Sequence, residues 1–149
     1  MEWVNALRGS IVGLDSAPLI YFVELHPRYL AVVDPFFEAM ERGEIQVVTS
    51  ALTLTEVLIY PYKFGNRSLA DQYSRILLHS RNLTTIPVTN EIASEAAQLR
   101  ALHGFKTPDA IHIASAKAGG AASFLSNDAG LNSIPGINVI LLDSLLTHP

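Results

Sequence analysis

Four acids of this chain, Asp15, Glu56, Asp109 and Asp128, are spaced so that together they can do metal chemistry. Asp15 directly follows the apolar run at 10–14, and Asp128 follows the run at 123–126. Asp109 sits in the first turn of a helix that Thr107-Pro108 would open, and Glu56 lies inside a helix that Ser50 would cap. If those runs are parallel strands, all four acids stand at the sheet edge where open α/β folds bind ligands. A single acid at a helix start is explained by the helix dipole, which it complements by about 0.3–1 kcal/mol. Four together need more. Two carboxylates about 5 Å apart repel by roughly 3 kcal/mol at an effective dielectric of about 20, and a divalent cation resolves that conflict. Hard Mg²⁺ or Mn²⁺ suits an all-oxygen site, and the reaction it favours is phosphodiester hydrolysis by an activated water.

Alternation along the chain supplies the elements that would hold these acids. Residues 10–14, 45–49, 83–88, 123–126 and 138–142 read as short strands, the third being the weakest. Ser16 and Pro18 open a helix through Val23, and Pro27 and Asp34-Pro35 each read as a further start, with Asp34 capping a helix that ends near Gly43. Ser50 caps a helix from Ala51 to about Tyr60, which Pro61 stops. Leu69, Tyr73, Ile76 and Leu77 recur at helical spacing, as do Ile92, Ala96, Leu99 and Leu102 ahead of Gly104. Thr107-Pro108 begins a helix to about Lys117, Gly119-Gly120 ends it, and a brief helical turn fits between the last two strands. Strands alternating with helices predict an α/β fold class, a three-layer arrangement with a mainly parallel sheet covered on both faces, in one domain spanning 1–149.

Composition narrows the function classes. The chain has 149 residues, 49% hydrophobic and 16% charged, which excludes a disordered polyelectrolyte. It has no cysteine, so any metal must be held by oxygen or imidazole. No apolar run reaches the roughly 18 residues of a membrane span, and the opening Met-Glu-Trp-Val-Asn-Ala-Leu-Arg does not read as a secretory signal. A cytoplasmic protein is expected. The net charge of −4 argues against coating nucleic acid through bulk charge, and without the four acids the remainder is neutral.

Other residues have competing readings. Lys63, Arg67, Arg75, Arg81 and His79, interleaved with Tyr62, Phe64 and Tyr73, could form an RNA-binding flank, although a solvated helix face explains them as well. Asp34, Glu38, Glu41 and Glu44, with Arg42 nearby, read as exposed surface. Lys106, just before Asp109, could meet phosphate. His112 lies three residues after Asp109, yet its neighbours Ile111, Ile113 and Ala114 favour a packing position. His26, His103 and His148 form no ligand pattern with the acids, and Trp3, Tyr21, Phe22, Phe36 and Phe37 read as core or interface.

Four segments, in order, resemble the PIN domain, the metal-dependent ribonuclease fold of VapC-type toxins. They are Ile11-Val-Gly-Leu-Asp15-Ser16, the stretch from Val48 through Glu56 to Val57, Thr107-Pro-Asp109 running to Ala116, and Phe124-Leu-Ser126-Asn127-Asp128. The chain departs from the usual pattern at Ala129-Gly130-Leu131, where more polar residues and an aromatic are common. The resemblance implies that Asp15, Glu56, Asp109 and Asp128 form an acidic pocket, with Asp15 and Asp109 as direct metal ligands. Glu56 and Asp128 would hold water or a second ion. It further implies that Ser16 and Ser126 orient a carboxylate or touch phosphate, that Asn127 assists, that the protein pairs as a homodimer, and that a small VapB-like antitoxin covers the groove.

These readings converge on a Mg²⁺-dependent endoribonuclease, the toxin of a VapBC-type pair. The alternatives are an RNA-processing nuclease without an antitoxin and a PIN-fold module that binds RNA or protein without turnover. A phosphoryl-accepting receiver domain is disfavoured, because one acid alone ends the first strand and no lysine follows Ser126 closely.

Overall fold

The computed structural model describes residues 1–131 and 133–146, so His148 lies outside the described residues. Each apolar run becomes a strand of one parallel sheet: β1 Ile11–Leu14, β2 Gln46–Ser50, β3 Leu83–Ile86, β4 Ser123–Ser126 and β5 Asn138–Leu141, in the spatial order β3-β2-β1-β4-β5. Parallel neighbours need crossovers, and these are helical. The helices are α1 Glu2–Asn5, α2 Ser16–Val23, α3 Leu30–Glu41, α4 Ala51–Lys63, α5 Arg67–His79, α6 Asn90–His103 and α7 Thr107–Ala118, with short 3₁₀ turns at Ala129–Leu131 and Leu142–Leu145. The chain builds outward from β1 in both directions, so the topological switch point lies between β1 and β4. The predicted α/β, PIN-like architecture is the one observed. Among the described residues, no helix is long and apolar enough to cross a membrane.

Strand alternation divides the core in two. Val12 and Leu14 of β1, Val47 of β2 and Leu125 of β4 point into a core shared with α1 to α5. Val48 and Phe124 point the other way, under α6 and α7. Gly13 lies on this second face, where an added Cβ would stand 2.7 Å from Ala116 Cβ and 2.8 Å from Phe124 Cδ1, so its missing side chain lets α7 close on β1.

Two prolines behave differently from the sequence expectation. Asp34-Pro35 does not start a helix: α3 begins at Leu30 and carries Pro35 inside it. The entry turn begins at Pro27 instead, where His26 Nδ1 accepts the backbone N–H groups of Arg28 and Tyr29 at 3.1 and 3.3 Å, as a capping side chain does. Pro61 does not stop α4, which runs on to Lys63. The strand expected to reach Val88 ends at Ile86, just before Pro87. Within the basic stretch, Tyr73 is fully buried and its hydroxyl donates to Glu24, so it belongs to the core, whereas Tyr62 and Phe64 are exposed. Glu44 pairs with Arg8 at 3.4 Å, while Glu38 and Glu41 are exposed as expected.

Candidate metal centre

Asp15 leaves β1 at the switch point. Its backbone N–H donates to the Leu125 carbonyl of β4 at 3.0 Å, and it is the N-cap residue of α2. Both carboxylate oxygens are spoken for: Oδ1 accepts the Ser16 N–H at 2.8 Å, and Oδ2 accepts the Ser126 hydroxyl at 2.7 Å. Ser126 is fully buried and in turn accepts the Asp128 N–H at 3.0 Å, so one hydroxyl couples the acids that follow β1 and β4. The departure at Ala129-Gly130-Leu131 has a use here. Gly130 donates its N–H to Asp128 Oδ1 at 2.9 Å, and a Cβ at this position would stand 3.1 Å from that oxygen.

Glu56 arrives from α4. Ser50 caps that helix by accepting the Leu52 N–H at 3.1 Å, and buried Thr49 ties the Leu14 carbonyl of β1 at 2.8 Å and the Thr53 hydroxyl of α4 at 2.7 Å. The second strand, its helix and the end of the first strand are thus held in one register. Glu56 Oε1 accepts the Ser16 hydroxyl at 2.6 Å and lies 2.7 Å from His112 Nε2.

His112 corrects the packing assignment. It is 3% exposed, as a core residue would be, but its Nε2 reaches Glu56 and lies 3.9 Å from Asp15 Oδ1. Because Asp109 is three residues earlier on α7, the two share one helix face; that spacing was the available signal. Asp15, Glu56 and His112 each bring one ligand atom within 4.8 Å of the others. Asp109, Asp128, Asn127 and Ser16 line the same cleft of about 580 Å³. Lys106 lies outside it, in an adjoining hollow that shares Asp109 and Asp128. No residue of the basic stretch 63–81 lines the cleft.

The electrostatics follow from this crowding. Burial pushes the Asp109 carboxyl up, and the charges of Asp128 and Asp15 push it further against the opposing pull of His112 and Lys106. Burial would raise Glu56 too, but the hydrogen bonds from His112 and Ser16, with the His112 charge, hold it below its ordinary value. Burial would lower His112, yet the bond to Glu56 and the charges of Asp15, Glu56 and Asp109 hold it above 6.5. An ionised Glu56 makes the ring nitrogen the donor of that pair. A set of hard oxygen donors, with an imidazole holding one of them and unrelieved repulsion at Asp109, has the chemistry a divalent cation requires.

Two expectations test this field. Asp109→Asn is expected to stabilise the metal-free protein by roughly 1 kcal/mol after allowance for solvent screening, about 2–4 °C in Tm. Because the folded pKa of Asp109 is raised, wild type loses stability as pH rises from the unfolded value through the folded one. The Asn variant should lack that loss in thermal melts with chelator. For His112 the window differs. Its raised pKa means that the ion pair with Glu56 is complete below about pH 6.5 and fades as pH rises through the folded value, provided Glu56 stays ionised. His112→Leu should therefore cost about 1.5–3 kcal/mol below that pH, measured by urea unfolding, and less above it.

A sequence search finds no curated protein that matches. Solved structures do match. The chain is similar to one in VapBC2 from Rickettsia felis bound to a promoter DNA fragment, with TM-score 0.65, 16% identity and coverage of 88% of this chain and 98% of that one. It is also similar to one in a toxin–antitoxin complex from Klebsiella pneumoniae, with TM-score 0.63, 21% identity and coverage of 89% and 98%. For VapC20 of Mycobacterium tuberculosis, a toxin that cleaves the sarcin-ricin loop, the TM-score is 0.63, the identity 16% and the coverage 77% and 87%. At these identities the likeness concerns the fold. The PIN domain profile matches residues 12–137, a span that holds all four acids, β2 to β4 and all of β1 but Ile11, and this chain belongs to the PIN domain family.

Proposed function

We propose that this protein is a divalent-metal-dependent endoribonuclease, the toxin of a VapBC-type pair, acting in the cytoplasm as one unit over its whole length. The observation that carries this reading is the cleft at the switch point, which Asp15, Glu56, Asp109 and Asp128 all line, with His112 holding Glu56 in place at 2.7 Å. Asp15 and Asp109 would hold Mg²⁺ or Mn²⁺, with Glu56 and Asp128 beside them. A cation bound there would supply charge neutralisation for the phosphate and acidity to a water.

The residues of the chain do the rest. Ser126 and the Ser16 N–H fix both oxygens of Asp15, so the carboxylate is preorganised. Ser16 and His112 both bond Glu56 Oε1, which leaves Oε2 to orient an attacking water and take its proton. The carboxylates around His112 favour its protonated form, and a proton held there tempers a cleft otherwise hostile to phosphate. Lys106, at the rim beyond Asp109, would meet a phosphate further along the strand, Ser16 and Asn127 would stand beside the substrate, and buried Ser126 would act on it only through Asp15.

Ile59, Tyr60, Tyr62 and Phe64 are exposed together near the end of α4, which supports a protein partner such as a VapB-like antitoxin or a second copy. The test is incubation of the purified protein with total cellular RNA in Mg²⁺, Mn²⁺ and chelator, with cleavage ends mapped. Metal-dependent discrete cuts are expected, and growth arrest on expression should be relieved by a small protein encoded alongside. Binding of RNA without cleavage in any metal would favour a module that does not turn over.

A further inference from the structure

Beside the acids, four residues close a circuit that the metal chemistry does not use. Asn127 Nδ2 donates to the Tyr21 hydroxyl at 3.2 Å, and Asn127 Oδ1 accepts the Asp143 N–H at 3.0 Å. The Asp143 carboxylate accepts the Tyr29 hydroxyl, and the Tyr29 ring stacks on Tyr21 with centroids 4.4 Å apart and planes 13° from parallel. The circuit returns to its start.

It also settles which groups face the cleft. An amide oxygen must accept the Asp143 N–H, so the Asn127 NH₂ turns toward Tyr21. That NH₂ gives one proton to Tyr21 and turns the other toward the Tyr29 oxygen, whose own proton Asp143 takes. The Tyr21 phenol accepts from Asn127, so its own proton is free, and among the described residues no acceptor takes it. Tyr21 and Asn127 both line the cleft with the acids. The serine hydroxyls are committed: Ser16, in the cleft, donates to Glu56, and Ser126, buried behind it, to Asp15. A wall of carboxylates repels a polyanion, and one fixed neutral donor gives a phosphate a place to rest at no cost in added charge.

We infer that the Tyr21 hydroxyl is a neutral clamp for a non-bridging oxygen of an RNA phosphate flanking the scissile one, held in place by Asn127, by Tyr29 and by the segment carrying Asp143. This rests on the ribonuclease reading above. Tyr21 is the specific addition. Its aromatic body looks like packing in the sequence, while its hydroxyl is the part that acts.

The test compares wild type with Tyr21→Phe, which keeps the ring stack and removes only the hydroxyl. Binding is read by fluorescence anisotropy with a labelled unstructured RNA of about 12 nucleotides, in Ca²⁺ to hold turnover down, and cleavage of the same RNA is read in Mg²⁺. Tyr21→Phe is expected to raise Kd and KM by about 5–10-fold while kcat moves less than about threefold, as loss of one hydrogen bond to a charged group would. Tyr29→Phe, which touches no RNA, should shift KM the same way by a smaller factor. A set of RNAs carrying one neutral methylphosphonate at successive linkages adds a discriminating readout: at one linkage wild type should lose about the same factor, and Tyr21→Phe should lose nothing further. Values for Tyr21→Phe within twofold of wild type, or equal methylphosphonate penalties in both proteins at every linkage, would overturn the clamp while leaving the nuclease standing. A wild-type protein that neither binds nor cuts RNA would bring down both.

Discussion

Asp15→Asn is expected to lower RNA cleavage by about 10³-fold or more, because a ligating charge is worth several kcal/mol in the transition state. The substitution keeps the shape of the side chain but not its acceptors. Asp15 uses one oxygen for the Ser16 N–H and the other for the Ser126 hydroxyl, so the new amide protons must face one of two donors. With its oxygen kept on Ser16, the NH₂ confronts a buried hydroxyl whose own proton has lost its acceptor, so Ser126 must turn from the position in which it accepts the Asp128 N–H. Asp128 should therefore loosen as well, and uptake of Mn²⁺, read by calorimetry, should weaken together with activity. Single-turnover cleavage near the wild-type rate would remove Asp15 from the chemistry.

Gly13→Ala is expected to cost about 1–3 kcal/mol of stability for one added methyl, or roughly 2–4 °C in Tm for each kcal/mol. The added methyl would meet Ala116 Cβ, which only movement of α7 can relieve, and the ring of buried Phe124 on β4. Both neighbours belong to elements that deliver site residues: α7 carries Asp109 and His112, and β4 ends in Ser126. Activity should fall beyond what stability explains. Adding Ala116→Gly should restore part of both in a double-mutant cycle of urea midpoints and rates, whereas strict additivity would show that the contact is not the cause.

The strands were legible because each is a short β-branched or apolar run bounded by turn residues, and the helix starts at Ser16, Ser50 and Thr107-Pro108 follow from capping chemistry that acts within a few residues. The prolines misled because local chemistry is not the only term. Pro35 costs α3 about 3 kcal/mol, but the same helix buries Phe36, Phe37 and Met40, each worth about 1.5–3 kcal/mol. Pro61 is itself buried and continues the stripe of Thr53 and Val57, so its ring is core material on α4. The four acids could be found from the sequence because each sits at a strand end or on a helix that begins there. His112 was hidden by apolar neighbours that describe the burial of the ring and say nothing about the polar edge reaching Glu56. The circuit through Tyr21, Tyr29, Asn127 and Asp143 had no local signature, since its members meet only when the fold is complete.

The bond from Ser126 to Asp15 joins residues 111 positions apart, across the central pair of a sheet whose strands are all parallel. Such pairing is slow to form, because the whole intervening chain must be closed into a loop before it gains anything. A ribosome therefore carries this polypeptide for most of its synthesis with half of the acids still unmade. The cleft can gather all four of its acids only after β4 has cleared the exit tunnel, so the complete site belongs to a nearly finished chain and to no shorter one.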